Sequence, residues 1–132
     1  MKRLAGLLLC LGCLGVVSAQ DEAEHVQWMK SLQGEMGAMR KIENKMSPEM
    51  AVSAAKLSGI YETLAAYYTK KNVADAAKMS MDGKTAADEA VAAIKAGDAE
   101  KAGAAFKTVG GTCKGCHDVH REKAADGSYK FK

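Results

Sequence analysis

The sequence predicts an all-α protein, with residues 20–132 folded as an antiparallel four-helix bundle. The chain of 132 residues has one proline and 5% aromatic residues, a composition that favours helix over strand. Apolar residues recur at intervals of three and four, which is the period of an amphipathic helix. Short turn signals separate these segments, and helices joined by short turns pack most simply as an antiparallel bundle.

The first 19 residues have the pattern of a secretory signal peptide. Lys2 and Arg3 precede an uncharged apolar run over residues 4–17, and short side chains lead up to Ala19. The run is shorter than the roughly 20 residues that a membrane span needs, so cleavage after Ala19 is favoured over an uncleaved anchor. Lipidation at Cys13 is a further alternative. We therefore expect a periplasmic or secreted protein with no membrane span after cleavage.

The charge and cysteine content of residues 20–132 exclude two classes of protein. Without Lys2 and Arg3, 17 of the 19 basic residues remain against 16 acidic ones. A nearly neutral chain has no general attraction for nucleic acid or for membrane surfaces. Cys113 and Cys116 are the cysteines left after the signal, too few for the disulfide framework of a small secreted domain.

The first two helices are predicted from their stripes and from one cap. The first extends over about residues 21–46, with acidic residues in its first turn that suit the helix dipole. The second begins at Ser47 and Pro48, a capping serine followed by proline at the first helical position, and it ends near residues 70–71. The apolar stripes consist of Val26, Met29, Leu32, Met36, Met39, Ile42 and Met46, and of Met50, Ala54, Leu57, Tyr61, Leu64 and Tyr68.

The last two helices are predicted to meet at Gly97 and Asp98. Asn72 is expected to cap the third helix, Gly83 to loosen it and Gly97 to end it, whereas Asp98 caps the fourth. From Ala125 onward we expect a frayed tail. The helix faces are rich in alanine, which buries little apolar area. A large apolar ligand inside the bundle would fill the space that such small side chains leave.

Residues 113–117, Cys-Lys-Gly-Cys-His, form the pattern for covalent attachment of a c-type haem. In this chemistry the thiols of Cys113 and Cys116 add across the two haem vinyl groups and form thioethers. His117 follows the second cysteine, so its imidazole can reach the iron as an axial ligand. On a helix these three positions share one face, against which one haem would lie.

Three other interpretations of the motif compete with haem attachment. A zinc site could use the two cysteines with His117 or His120, but it needs a fourth ligand, and His25 is the remaining histidine. A thioredoxin-like redox pair is expected in a βαβ setting, and no strand pattern is visible. A disulfide between Cys113 and Cys116 would be strained on a helix.

The segment Val-Gly-Gly-Thr-Cys-Lys-Gly-Cys-His over residues 109–117, followed by Arg121, resembles the C-terminal end of the cytochrome c-prime family. The resemblance implies a four-helix bundle with haem c on its last helix and Arg121 near the proximal face of the haem. It also implies that the first two helices can form a homodimer interface.

The same resemblance extends to the first helix and suggests a sixth iron ligand. Trp28, Met29 and Lys30 resemble the first-helix segment of low-spin family members, in which a methionine binds the iron, and Gly34 also fits that pattern. The resemblance thus implies Met29 as the distal ligand, Met36 as the reserve, and Trp28 and Gly34 as pocket residues. From spacing alone, a methionine on such an apolar stripe is more often a core filler than a ligand.

Two functions follow from the state of the sixth iron site. With Met29 bound, His/Met ligation predicts a soluble electron carrier that exchanges electrons with redox partner proteins. With the site open, the resemblance implies a high-spin haem protein that binds NO or CO. A haem enzyme ranks last, so we expect no catalytic residues.

Overall fold

The structure is a computed structural model that describes residues 14–132, with side chains described from Gln20 onward. These residues form four α-helices and a C-terminal two-stranded hairpin. The predicted signal peptide lies largely outside the described residues, and Cys13 lies wholly outside them. The elements are α1 (Leu14–Lys41), α2 (Pro48–Lys70), α3 (Ala74–Ala96), α4 (Ala99–His120), β1 (Arg121–Lys123) and β2 (Tyr129–Phe131).

The predicted four-helix bundle is confirmed. Helices α2, α3 and α4 pack closely in chain order, whereas α1 contacts α2 less extensively. The predicted stripe of α2 is buried throughout, and its largest fully buried side chains are Leu57, Leu64 and Tyr68. On α1 the stripe is less enclosed, since Leu32 and Met39 are buried but Val26 is exposed. None of the helices in residues 14–132 combines the length and the apolar character needed to cross a membrane.

The first helix differs from its prediction at both ends, because it begins at Leu14 and ends at Lys41 rather than extending to Met46. The Lys45 ammonium group donates hydrogen bonds to the carbonyls of Met39 (2.7 Å) and Arg40 (3.1 Å), which the end of a helix leaves unpaired. Asn44 Oδ1 then accepts a hydrogen bond from the Met46 N–H at 2.9 Å. This turn chemistry ends the helix although the apolar spacing continues.

The predicted caps are confirmed at Ser47, Gly97 and Asp98, but not at Asn72. Ser47 accepts from the Met50 N–H, Asp98 accepts from the Lys101 N–H, and Gly97 ends α3 with a φ of 74°. Asn72 has a φ of 59°, a left-handed conformation that asparagine tolerates. It follows the end of α2, where the Val73 N–H bonds back to the Tyr68 carbonyl at 2.9 Å, so Asn72 terminates α2 instead of capping α3.

The C-terminal tail is an ordered hairpin, so the prediction of a frayed tail without strands is wrong. Strands β1 and β2 pair antiparallel with Arg121 opposite Phe131, and Gly127 turns the chain with a φ of 85°. The hairpin is held by Phe131, whose ring stacks on His120 at 5.1 Å and on Tyr68 at 5.2 Å between centroids. The tail therefore folds back over the end of the bundle.

Candidate functional site

A cavity of about 970 Å³ lies between α1 and α4 and is bordered by α2 and the hairpin. Its size is at the upper end of the range for cofactor pockets, roughly 300–1,000 Å³. Most of the wall is apolar. Its lining includes Met29, Leu32 and Met36 of α1, Tyr61, Leu64 and Tyr68 of α2, Cys113, Cys116 and His117 of α4, and Tyr129 and Phe131 of β2.

The motif residues Cys113, Cys116 and His117 line one side of this cavity, half-buried on the same face of α4. Both cysteines are free thiols. Burial raises the pKa of the Cys116 thiol, with further contributions from Asp75 and Cys113. Burial also lowers the pKa of His117, and the nearby Arg121 guanidinium lowers it further. A neutral imidazole with a free lone pair is the form that binds a metal.

The alternative interpretations of the motif find no support in the surroundings of α4. His120 points to α3, where its Nε2 is 2.8 Å from Asp75 Oδ2, so it does not join the cysteines. Within residues 14–132, no group of three or more His, Cys, Asp or Glu side chains is placed to hold a metal ion. The cysteines are not bonded to each other, and their setting is helical rather than βαβ.

The opposite wall of the cavity is formed by α1, which brings Met29 and Met36 to it. Both methionines are half-buried and also pack against the hydrophobic core. The cavity therefore has two cysteines and a histidine on one side and two thioether side chains on the other. Histidine nitrogen and thioether sulfur are axial ligands that haem iron accepts in proteins.

Comparison with protein families gives a match over the last two helices. The family model described as Cytochrome C' matches residues 71–121, a range that contains α3, α4 and the Cys-x-x-Cys-His motif. Over these residues the chain is similar to the cytochrome c-prime family. No curated protein and no solved structure matches it at a significant level. The family is one of haem c proteins built as four-helix bundles, in agreement with the observed fold.

The chain's own residues fit haem c. The cavity is large, its lining is mainly apolar, and both thiols and the imidazole of the motif open into it. When bound, haem supplies an iron that changes between ferric and ferrous states or takes a small ligand. Cys113 and Cys116 would hold it and His117 would bind its iron. Arg121 also lines the cavity, with its guanidinium 4.3 Å from the ring centroid of Tyr129.

Two sequence-predicted pocket residues, Trp28 and Gly34, lie elsewhere. They line a separate cleft of about 550 Å³ between α1 and α2, together with Lys56 and Ile60. The Trp28 ring meets Tyr67 edge-on at 5.6 Å between centroids. On a helix, positions 28 and 29 are about 100° apart, so Met29 can line the cavity while Trp28 lies on the flank. The structure does not bring Trp28 and Gly34 to the motif.

A buried pair, His25 and Tyr68, also lines the cavity, whereas the sequence suggests His25 only as a weaker alternative to Met29 and Tyr68 only as a packing residue. The His25 Nε2 and the Tyr68 hydroxyl are hydrogen bonded at 2.7 Å, and His25 is only 8% exposed. Burial lowers the pKa of His25, against a smaller opposing effect of Glu22. Helical spacing indicates from the sequence that His25 can line the cavity, because it lies one turn before Met29 on the same face of α1.

Proposed function

We propose that this protein is an electron carrier exported to the periplasm, with one haem c attached covalently through Cys113 and Cys116. His117 is the proximal iron ligand and Met29 the distal one. The observation that carries the proposal is that Met29 lines the same cavity as His117 from the facing helix. A six-coordinate iron changes its oxidation state without exchanging a ligand, and His/Met ligation raises the reduction potential.

In this proposal the polypeptide performs no reaction on a substrate. Its tasks are to attach the haem, to keep its faces in an apolar environment and to leave an edge accessible to redox partner proteins. Lysines near the exposed end of α4, such as Lys114 and Lys123, would steer an acidic partner toward the site. The attraction would weaken at high salt because these charges are exposed to solvent.

The first experiment is an absorption spectrum of the protein produced with haem-maturation machinery, recorded oxidised, reduced, and reduced with CO. We expect haem that stays with the polypeptide after acid-acetone extraction and a low-spin spectrum that CO does not change. Loss of all haem on extraction would contradict covalent attachment. A high-spin spectrum that shifts with CO would keep the haem but identify an open site that binds CO or NO.

The distal ligand is tested by three methionine variants. Because Met29→Ala removes the proposed ligand, its reduced form should bind CO readily, whereas Met36→Ala should stay low-spin. Met46→Ala is the matched control, since Met46 is half-buried but does not line the cavity. If the reduced Met36→Ala variant binds CO and the reduced Met29→Ala variant does not, Met36 is the distal ligand.

A further inference from the structure

Tyr61 of α2 directs its hydroxyl at one of the two motif cysteines. The hydroxyl oxygen is 2.9 Å from Cys113 Sγ, and the Tyr61 side chain is only 4% exposed. Within the part of the chain that the structure describes, Cys113 is the hydrogen-bond partner of this hydroxyl, and no side chain forms a hydrogen bond to the sulfur of Cys116. The two cysteines of the motif are therefore held differently.

The Tyr61 ring is fixed by its contact with α3. A Cβ atom added at Gly83 would be 2.7 Å from Tyr61 Cε1 and 2.8 Å from Cζ, closer than non-bonded carbon atoms come. The ring thus occupies space that is available only because position 83 has no side chain. Together, α2 supplies the ring, α3 the space for it and α4 the sulfur at which the hydroxyl is aimed.

The hydroxyl is not explained by packing alone. Phenylalanine would fill the same space, and a buried hydroxyl without a partner would be unfavourable. Burial and the neighbouring Cys113 raise the pKa of Tyr61 far above its usual range, so the hydroxyl keeps its proton. A cysteine side chain has three staggered rotamers, and a hydrogen bond in an apolar environment favours the rotamer that makes it.

We propose that Tyr61 is a positioning residue for haem attachment at Cys113, whose sulfur it holds at the wall of the cavity. The inference rests on the proposed covalent attachment of haem. In that step the Cys113 thiol adds across a vinyl double bond. The S–H bond and the π bond break, a C–S and a C–H bond form, and no oxidant, reductant or leaving group is involved. Afterwards the thioether sulfur is still a weak acceptor for the Tyr61 hydroxyl.

The test measures haem attachment at each cysteine separately. Tyr61→Phe removes the hydroxyl and keeps the ring, and Tyr67→Phe, outside the cavity lining, is the control. Each is made in the full chain, in Cys116→Ser, where only Cys113 can attach, and in Cys113→Ser, where only Cys116 can. Covalent haem per polypeptide is quantified by mass spectrometry and by the pyridine haemochrome spectrum, and circular dichroism checks the fold.

We expect Tyr61→Phe to lower covalent haem severalfold in the Cys116→Ser chain and to leave it unchanged in the Cys113→Ser chain. In the full chain it should produce haem bound through Cys116 alone. Equal losses in both single-cysteine chains would show that Tyr61 only shapes the cavity, and no loss in either would show that the hydroxyl is dispensable. Either result would overturn the inference about Tyr61. The proposed covalent attachment would still stand if the unmodified protein carries haem through two thioethers. Absence of covalent haem from the unmodified protein would overturn both.

Discussion

At the scale of single residues, the shape of the cavity depends on Gly83. From the sequence alone, this glycine would be expected only to weaken the third helix. Gly83 was expected to loosen the third helix, but it is buried inside α3 and faces the Tyr61 ring. Glycine lowers helix stability in isolation. Here that loss is offset by a close approach of two helices that no larger residue permits.

Replacing Gly83 with alanine should therefore destabilise the protein despite the better helix propensity of alanine. The added methyl group overpacks the contact with Tyr61, and such changes typically cost about 1–3 kcal/mol. The matched control is Gly103→Ala on α4, where position 103 is exposed and nothing lies within 4 Å of an added Cβ. That variant should gain up to about 1 kcal/mol. Urea unfolding midpoints compare the two, and an equal gain for both would contradict the Gly83 contact.

The residues of the site differ in how far the sequence reveals them. One short motif contains Cys113, Cys116 and His117, so the sequence alone indicates haem attachment. The helical period also predicts that the three residues share one face of the helix. The hydrogen bond between His25 and Tyr68 spans 43 positions, and that between Tyr61 and Cys113 spans 52. Each requires knowing how whole helices are rotated against one another, which spacing within a single helix does not determine.

At the scale of elements, local capping chemistry predicts boundaries well wherever it acts alone. Ser47 and Pro48, like Gly97 and Asp98, mark their turns with residues that have one conformational role. The predicted end of the first helix is too late because apolar spacing continues to Met46. Lys45 and Asn44 form hydrogen bonds with backbone groups that end the helix earlier. Spacing reports which face is apolar, and the hydrogen bonds decide where the helix stops.

The C-terminal hairpin was missed because its strands are only three residues long, and because all three residues of β1 and two of the three in β2 are exposed. It is stabilised from outside, by the ring of Phe131 against His120 and Tyr68. Pairing of two short strands alone would be marginal in water. The hairpin is thus a product of tertiary packing rather than of strand propensity.

Phe131→Ala should consequently release the hairpin and destabilise the protein by about 1–3 kcal/mol, less than for a fully buried phenylalanine because Phe131 is half-buried. Tyr129→Ala on the same strand is the control, since Tyr129 is 57% exposed and should cost well under half as much. Thermal unfolding followed by circular dichroism measures both. Equal effects would show that the aromatic stack does not hold the hairpin.

At the scale of the whole molecule, the bundle is unevenly packed. Helices α2, α3 and α4 form a continuous core, whereas α1 faces α4 across the cavity. Much of the apolar surface that α1 turns inward therefore has no protein partner there. In the holoprotein the haem would supply that surface, so the attachment of α1 depends more on the cofactor than that of the other helices.

A chain without attachment sites tests this dependence. In the double variant Cys113→Ser with Cys116→Ser, purified without haem, amide hydrogens of α1 should exchange much faster than in the holoprotein, because local opening follows the loss of buried contacts. Amides of α3, which lie in the continuous core, are the internal control and should change far less. Hydrogen exchange with mass spectrometry resolves the helices, and uniform acceleration would show that the bundle opens as one unit.

The cavity also has a consequence for the order of folding. Helices α2, α3 and α4 contact their neighbours in the chain, and such local contacts form quickly. By contrast, the ring of His25 near one end of the chain meets that of Phe131 near the other at 5.9 Å between centroids, a contact that closes a loop of nearly the whole domain. We therefore expect a three-helix intermediate in which the haem face of α4 is still open, so that the two ends of the polypeptide enclose the cofactor last.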